Sequence, residues 1–302
     1  MSPNKVVAVI GSTGAQGFSV VQSLLPSFFV RAFTRSQEKL QSLASENPNL
    51  SVVQVDPNDT AAVKAALHGV WALFVNTFSD YTQPLGVEEK QGKGIVDAAA
   101  EAGVEWLVFS SLPDNMPFRA FVDKANVMKY AREIARKSSM KNVFVELGYY
   151  MSNSLWNPPV QAADGVVEFR WSTIDEKTYL PLIATQTDLG PILKAILEDP
   201  AKWEDTEIPI VGETLTVPQI AEIYGRVRNV PTRAVFLHHI PLETSFDGWI
   251  DMHRDFKEVG YFPAYKGRES EIREIASKLY PGLKSWEAWL REDDTRLDYV
   301  KH

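Results

Sequence analysis

Three glycines spaced three apart, in Gly11-Ser12-Thr13-Gly14-Ala15-Gln16-Gly17, follow the apolar run Val6-Val7-Ala8-Val9-Ile10 and open a segment of helical periodicity. A glycine-rich turn between a buried strand and a helix N-terminus gathers several backbone N–H groups and the positive end of the helix dipole at one point. Such a point binds an anion, and a dinucleotide pyrophosphate is the usual one. The spacing is G-x-x-G-x-x-G, not the common G-x-G-x-x-G, and the rival reading is a tight turn whose glycines only supply positive φ. Strand, turn and helix nevertheless stand in the order that the dinucleotide fingerprint requires.

A second chemical signal lies at the end of the next strand. An NAD-binding unit normally places Asp or Glu there to accept from the adenosine ribose, whereas this chain has Thr34-Arg35-Ser36, with Lys39 one turn further on. A carboxylate would repel a 2′-phosphate and a guanidinium can bind it bidentately, so NADP(H) is the expected cofactor; the alternative is a solvated loop cation. Asp56, after the third strand, is placed to approach the adenine, and Asn76-Thr77, after the fourth, to line the path to the nicotinamide. Within Asp56-Pro57-Asn58-Asp59 a turn is the competing reading, and Asp59 reads best as a helix N-cap. Lys124 lies four residues before Met128 on the inward stripe of a helix. Its ammonium either snorkels to water or faces the cleft, where it could hold ribose hydroxyls and depress the pKa of a neighbouring acid.

The elements that must position these residues alternate. Strands are expected at 6–10, 28–34, 51–55, 71–76, 106–110 and 142–147, with helices at 15–25, 36–44, 60–67, 87–102 and 121–138, Ser36 being the N-cap of the second helix. This pattern predicts an α/β, doubly wound parallel sheet with ligands at the carboxyl ends of its strands. Beyond Gly148 the apolar runs become short and irregular, so residues 1–150 are read as the nucleotide-binding domain and 151–302 as a smaller α+β substrate lobe, with some segments free to cross between them. There, Thr187-Asp188 is expected to cap a helix ending at Leu197, and Thr216 with Pro218 to open another ending at Val227. Aromatics crowd the tail: Phe246, Trp249, Phe256, Tyr261, Phe262, Tyr280, Trp286 and Trp289.

Composition excludes several function classes. At 302 residues, with 45% hydrophobic and 23% charged residues, the chain reads as a soluble globular protein that can bury a sizeable core. A net charge of −8 without a basic run argues against direct nucleic-acid binding. The absence of cysteine removes disulfides, thiolate catalysis and cysteine-ligated metal. Met1-Ser2-Pro3-Asn4 leads straight into the first strand, and no apolar run approaches a bilayer span, so the expected compartment is the cytoplasm, without a membrane partner. His238-His239 would point to opposite faces of a strand with no third ligand at metal spacing, so no metal is expected.

The chain resembles the NmrA-like group of atypical short-chain dehydrogenases. The resemblance rests on the glycine turn, Val30-Arg31-Ala32-Phe33-Thr34-Arg35, Gly103-Val104-Glu105-Trp106-Leu107-Val108-Phe109-Ser110-Ser111, and Leu147-Gly148-Tyr149-Tyr150-Met151-Ser152-Asn153. It implies a Rossmann-type sheet with a small C-terminal lobe. It also implies that Gly11, Thr13, Gly14, Gln16 and Gly17, with Ala15 between them, hold the pyrophosphate, Arg35 the 2′-phosphate and Lys124 the nicotinamide ribose, with Gly148 and Tyr150 flanking the nicotinamide. Conventional members of the wider group use Tyr-x-x-x-Lys; four residues before Lys124 stands Ala120.

The missing tyrosine separates two readings. In the first, the protein is an NADP(H)-dependent reductase of a small, largely apolar metabolite (C=O, C=C or C=N), with aromatics such as Tyr150, Trp156, Phe256 and Trp289 shaping a pocket and Lys124, Tyr149 or Tyr150 supplying any proton. An iminium acceptor would need none. In the second, it is a non-catalytic NADP(H)-binding redox sensor acting on a regulatory protein partner; a homodimer is the alternative partner, and no sequence feature marks a partner surface.

Overall fold

The computed structural model describes residues 5–237, 249–292 and 297–300. Met1, Ser2, Pro3, Asn4, His238, His239 and Phe246 lie outside the described residues.

In chain order the elements are β1 (Val6–Ile10), α1 (Ala15–Leu24), β2 (Phe29–Thr34), α2 (Glu38–Glu46), β3 (Leu50–Gln54), α3 (Thr60–Ala66), β4 (Ala72–Val75), α4 (Val87–Glu101), β5 (Trp106–Ser111), α5 (Arg119–Ala135) and β6 (Lys141–Leu147). They continue as β7 (Tyr149–Tyr150), β8 (Val160–Gln161), β9 (Val167–Ser172), β10 (Tyr179–Ile183), α6 (Thr185–Glu198), β11 (Glu207–Ile210), β12 (Glu213–Thr216), α7 (Val217–Arg228), β13 (Thr232–Leu237), α8 (Trp249–Glu258), α9 (Glu269–Leu279) and α10 (Trp286–Glu292). The chain forms two compact units, one of Met1–Asp114, Arg119–Glu146 and Thr185–Ile208, the other of Asn115–Phe118, Leu147–Ala184 and Pro209–His302.

A seven-stranded sheet in the order β11-β6-β5-β4-β1-β2-β3 organises the fold. Its β1–β2, β1–β4, β2–β3, β4–β5 and β5–β6 pairings are parallel, with Ile10 opposite both Phe33 and Val75. The strand order reverses at β1, between β2 and β4, which is where a doubly wound sheet opens a ligand crevice. Strands β4 and β5 are buried along their whole length, as near-continuous apolar runs covered by helices on both faces must be. Over one face, Val127, Met128 and Ala131 of α5 pack with Ile95 and Ala99 of α4 on Phe109 and Phe144. Each of the larger side chains among these, the alanines aside, contributes about 1.5–3 kcal/mol by leaving water. Helix α6 joins α1 so closely that a Cβ on Gly190 would lie 2.1 Å from the Ser19 carbonyl oxygen.

The second unit holds two three-stranded sheets, β12-β10-β7 and β13-β9-β8, with mixed parallel and antiparallel pairing. Among the described residues its aromatics divide: Tyr149, Trp171, His253, Phe256, Tyr261 and Phe262 form a chain of ring contacts, the last three lining a small cavity. Trp289 stacks on Trp286 at 5.1 Å, Phe256 packs between His253 and Tyr261, and Trp156 is 90% exposed.

Two expected helix starts shift. Helix α2 is preceded by Gln37 as N-cap, not Ser36, whose hydroxyl donates to the Glu38 carboxylate at 2.5 Å instead of accepting from the helix backbone. Helix α6 begins at Thr185, so Thr187 and Asp188 occupy its first turn, where the dipole also favours a carboxylate. Thr216 and Gln219 form the reciprocal capping box of α7, with Pro218 in its first turn.

Candidate functional site

The glycine turn is built by backbone. Gly11 has φ +79°, in the left-handed region, and its carbonyl accepts from the Gly14 N–H at 3.0 Å. Ser12 is buried and donates through Oγ to the Phe33 carbonyl at 2.7 Å, tying the turn to β2. A Cβ on Gly17 would lie 2.2 Å from the Gly11 carbonyl oxygen, so α1 starts close under the turn because position 17 carries no side chain. Gly14 caps α1 without a side-chain hydrogen bond, and the first turn holds no acidic residue. That leaves the positive end of the dipole uncompensated by the helix's own residues, and the cradle fits a pyrophosphate.

Beside the turn opens a cleft of about 650 Å³ over the carboxyl ends of β1, β2, β3 and β4, whose lining includes Gly11, Thr13, Gly14, Arg35, Asn58 and Asn76. Ala15 is exposed at the start of α1, while Gln16 and Gly17 are buried behind the turn. Arg35 is exposed, and among the described residues no carboxylate pairs with its guanidinium. Lys39, one turn into the helix, is exposed and outside the cleft lining. Asp56 is spent on its own turn, its Oδ1 accepting from Asn58 N at 2.9 Å and Asn58 Nδ2 at 3.0 Å; Pro57 and Asn58 face the cleft instead. Asp59 caps α3 by accepting from Ala62 N at 2.9 Å, as its sequence position predicts.

Lys124 is buried and does not reach solvent. Its Nζ donates to Glu88 Oε1 at 2.8 Å, to the Thr77 carbonyl at 3.0 Å and to Thr77 Oγ1 at 3.1 Å, which engages all three ammonium hydrogens. Glu88 was not anticipated. It accepts also from Thr77 Oγ1 at 2.6 Å and from Ser79 Oγ. Burial alone would raise the Glu88 pKa, but the Lys124 ammonium and the two hydroxyls hold it below the ordinary carboxylate value. The neighbouring Asp123, which lines the cleft, is pushed the other way, by burial and by the charges of Glu88 and Glu89. Glu88 sits in the charged run Val87-Glu88-Glu89-Lys90, which reads as a solvated helix face. The available signal was Lys124 itself, since a lysine on an inward stripe requires a counter-charge.

In the second unit, Gly148 precedes β7, and a Cβ there would fall 2.3 Å from the Pro181 carbonyl oxygen. Tyr149 and Tyr150 pair with Leu182 and Ile183 of β10. Tyr149 is buried against Trp171, at 5.8 Å between ring centroids, and burial drives its pKa well above that of a free phenol, opposed by a hydrogen bond with Asn153. Tyr150 is half-buried. Among the described residues there is no group of three or more His, Asp or Glu that could hold a metal, and no helix long and apolar enough to cross a membrane.

Residues 3–290 match the NmrA-like family. The chain is 33% identical to the NmrA-like family domain-containing oxidoreductase FrzB of Cladobotryum sp, over 69% of each chain. It is 28% identical to the corresponding oxidoreductase ptmS of Penicillium ochrochloron, over 96% of this chain and 98% of that one. Among solved structures it is similar to NmrA, a negative transcriptional regulator crystallised with NAD (26% identity, TM-score 0.80) and with NADP (25%, TM-score 0.78), covering 96% of this chain and 95% of NmrA in both. Glycine turn, sheet order and overall likeness agree: the chain belongs to the NmrA-like family.

Proposed function

We propose that the protein binds NADP(H) in the cleft of the first unit and reduces a small, largely apolar metabolite at a C=O, C=C or C=N bond. The observation that carries this reading is one continuous cleft running from the Gly11 turn to the exposed side chain of Arg35. In it the backbone of Gly11, Thr13, Gly14, Ala15, Gln16 and Gly17 cradles the pyrophosphate, and Arg35 takes the 2′-phosphate, with Lys39 adding positive potential nearby. Asn76 lines the path onward; Thr77 and Lys124 support the floor. Asp56 acts through the turn that presents Asn58. Gly148 permits close packing of the segment that carries Tyr149 and Tyr150. The bound cofactor supplies the hydride. Lys124, Tyr149 and Tyr150 stand as the candidate proton donors; the engaged Lys124 hydrogens and the burial of Tyr149 count against the first two. The relatives' description as oxidoreductases supports turnover.

A second reading, a non-catalytic NADP(H) sensor with a regulatory protein partner, draws on Ala120 in the acid's usual place and on the engaged Lys124, and on NmrA being a transcriptional regulator. NADPH oxidation followed with a panel of enones, ketones and imines separates the two. Substrate-dependent oxidation is expected; NADPH binding with no oxidation across the panel favours the sensor.

A further inference from the structure

Three segments distant in sequence meet at one closed hydrogen-bonded ring. Thr77 and Ser79 follow β4, Glu88 lies in the first turn of α4, and Lys124 near the start of α5. Thr77 Oγ1 donates to Glu88 Oε1 and accepts from Lys124 Nζ, which also donates to Glu88 Oε1, so the ring closes through three side chains that are all buried. Ser79 Oγ occupies the other carboxylate oxygen. The ring does not stop at Thr77. The preceding carbonyl, that of Asn76, stands where a Cβ on Gly11 would come within 3.0 Å, so the backbone held by the ring abuts the glycine turn. On the other side, Ser79, Asp80 and Gln83 continue as cleft wall.

We propose that Glu88 is a positioning residue for the cofactor cleft: its carboxylate fixes Thr77 and Ser79, and through them the wall 76–83, while Lys124 serves as its counter-ion without touching the cofactor. This rests on the reading that the cleft binds NADP(H), and it reassigns Lys124 from ribose ligand to partner of Glu88. An ammonium with three acceptors has no hydrogen left for a ribose, and a buried carboxylate with three donors is geometrically constrained. A buried ion pair is costly to break from one side and far less costly to replace from both, which gives the two roles of Lys124 opposite signatures.

The test titrates NADPH into the parent, Glu88→Gln, Lys124→Met and the double variant, and follows amide hydrogen exchange across 76–86 in all four without nucleotide. Glu88→Gln is expected to weaken NADPH binding about tenfold and to speed exchange in 76–86, with the double variant returning to within about threefold of the parent affinity. Unchanged exchange in Glu88→Gln overturns the proposal whether or not NADPH binds. A double variant as weak as Lys124→Met overturns it in favour of direct contact between lysine and cofactor. A parent that binds no NADPH but whose exchange responds to Glu88→Gln refutes the cofactor reading and upholds the hold of Glu88 on the wall. Ser79→Ala leaves the ion pair intact and serves where Glu88→Gln does not fold; it too must speed exchange in 76–86.

Discussion

A methyl group at position 17 is the smallest change that tests how the glycine turn is packed. The Cβ of Gly17→Ala would stand 2.2 Å from Gly11 O, 2.6 Å from Gly11 C and 2.8 Å from Ser12 Cα. All three are backbone atoms, so no side chain can swing aside and either the turn or α1 must move. Position 17 is not among the positive-φ glycines, so the cost is packing without backbone strain. Overpacking costs about 1–3 kcal/mol, and a clash this short lies at the upper end; alanine returns about 1 kcal/mol in helix propensity, leaving about 2 kcal/mol. Over 302 residues, each adding about 2.1 cal/mol/K of unfolding entropy, that lowers the Tm by about 3 °C. Displacing the N–H groups should also weaken NADPH binding by about tenfold or more. Gly14→Ala is the internal control: its Cβ meets Gly11 O at 3.4 Å and its φ is −85°, so it should lose under about 1 kcal/mol, the difference between glycine and alanine at an N-cap. Thermal unfolding by circular dichroism and NADPH titration are measured on both variants. A Gly17→Ala protein indistinguishable from Gly14→Ala in Tm and affinity would refute the packing argument.

Two further outcomes follow from buried groups. Glu146 is buried, its Oε1 without a hydrogen-bond partner among the described residues, and burial and the charge of Glu207, opposed by Arg132, push its pKa from 4.5 up to about 8. The folded state therefore keeps a proton that the unfolded chain releases, so this group's contribution to stability falls as pH rises from 4.5 to about 8 and is level above that. Glu146→Gln should flatten the fall and raise the Tm at pH 8 relative to the parent; parallel Tm-against-pH curves would contradict it. Gly148→Ala brings a Cβ to 2.3 Å from the Pro181 carbonyl and should destabilise by about 1–3 kcal/mol, checked by urea unfolding, where an unchanged midpoint would count against that packing.

The strand–turn–helix unit at 6–24 was legible because its signals are local: a β-branched run, glycines at a fixed spacing and a periodic helix. The same holds for the Asp59 cap and the Thr216 capping box, each decided within four residues. The start of α6 was misplaced because Thr and Asp suit both an N-cap and a first turn, and local preference does not choose between them. Ser36 looked like a cap, but its hydroxyl had a carboxylate two residues away to satisfy it. What the sequence hid was pairing across long separations. Nothing near Glu88 distinguishes it from Glu89, yet the fold buries the first against Lys124 and leaves the second bridging to Lys93 and Asn126. Likewise the sequence does not sort the crowd of tail aromatics: Trp286 and Trp289 stack in the core, Phe256, Tyr261 and Phe262 line a small cavity, and Trp156 faces solvent.

The central claim, that the cleft between the Gly11 turn and Arg35 holds a 2′-phosphorylated dinucleotide, is tested most directly by titrating NADPH and NADH into the parent and Arg35→Ala proteins. The parent is predicted to prefer NADPH by about tenfold or more, through a bidentate charge-assisted contact, and Arg35→Ala to lose most of that margin while keeping its NADH affinity. Equal affinities in the parent, or a margin that survives the substitution, would contradict it.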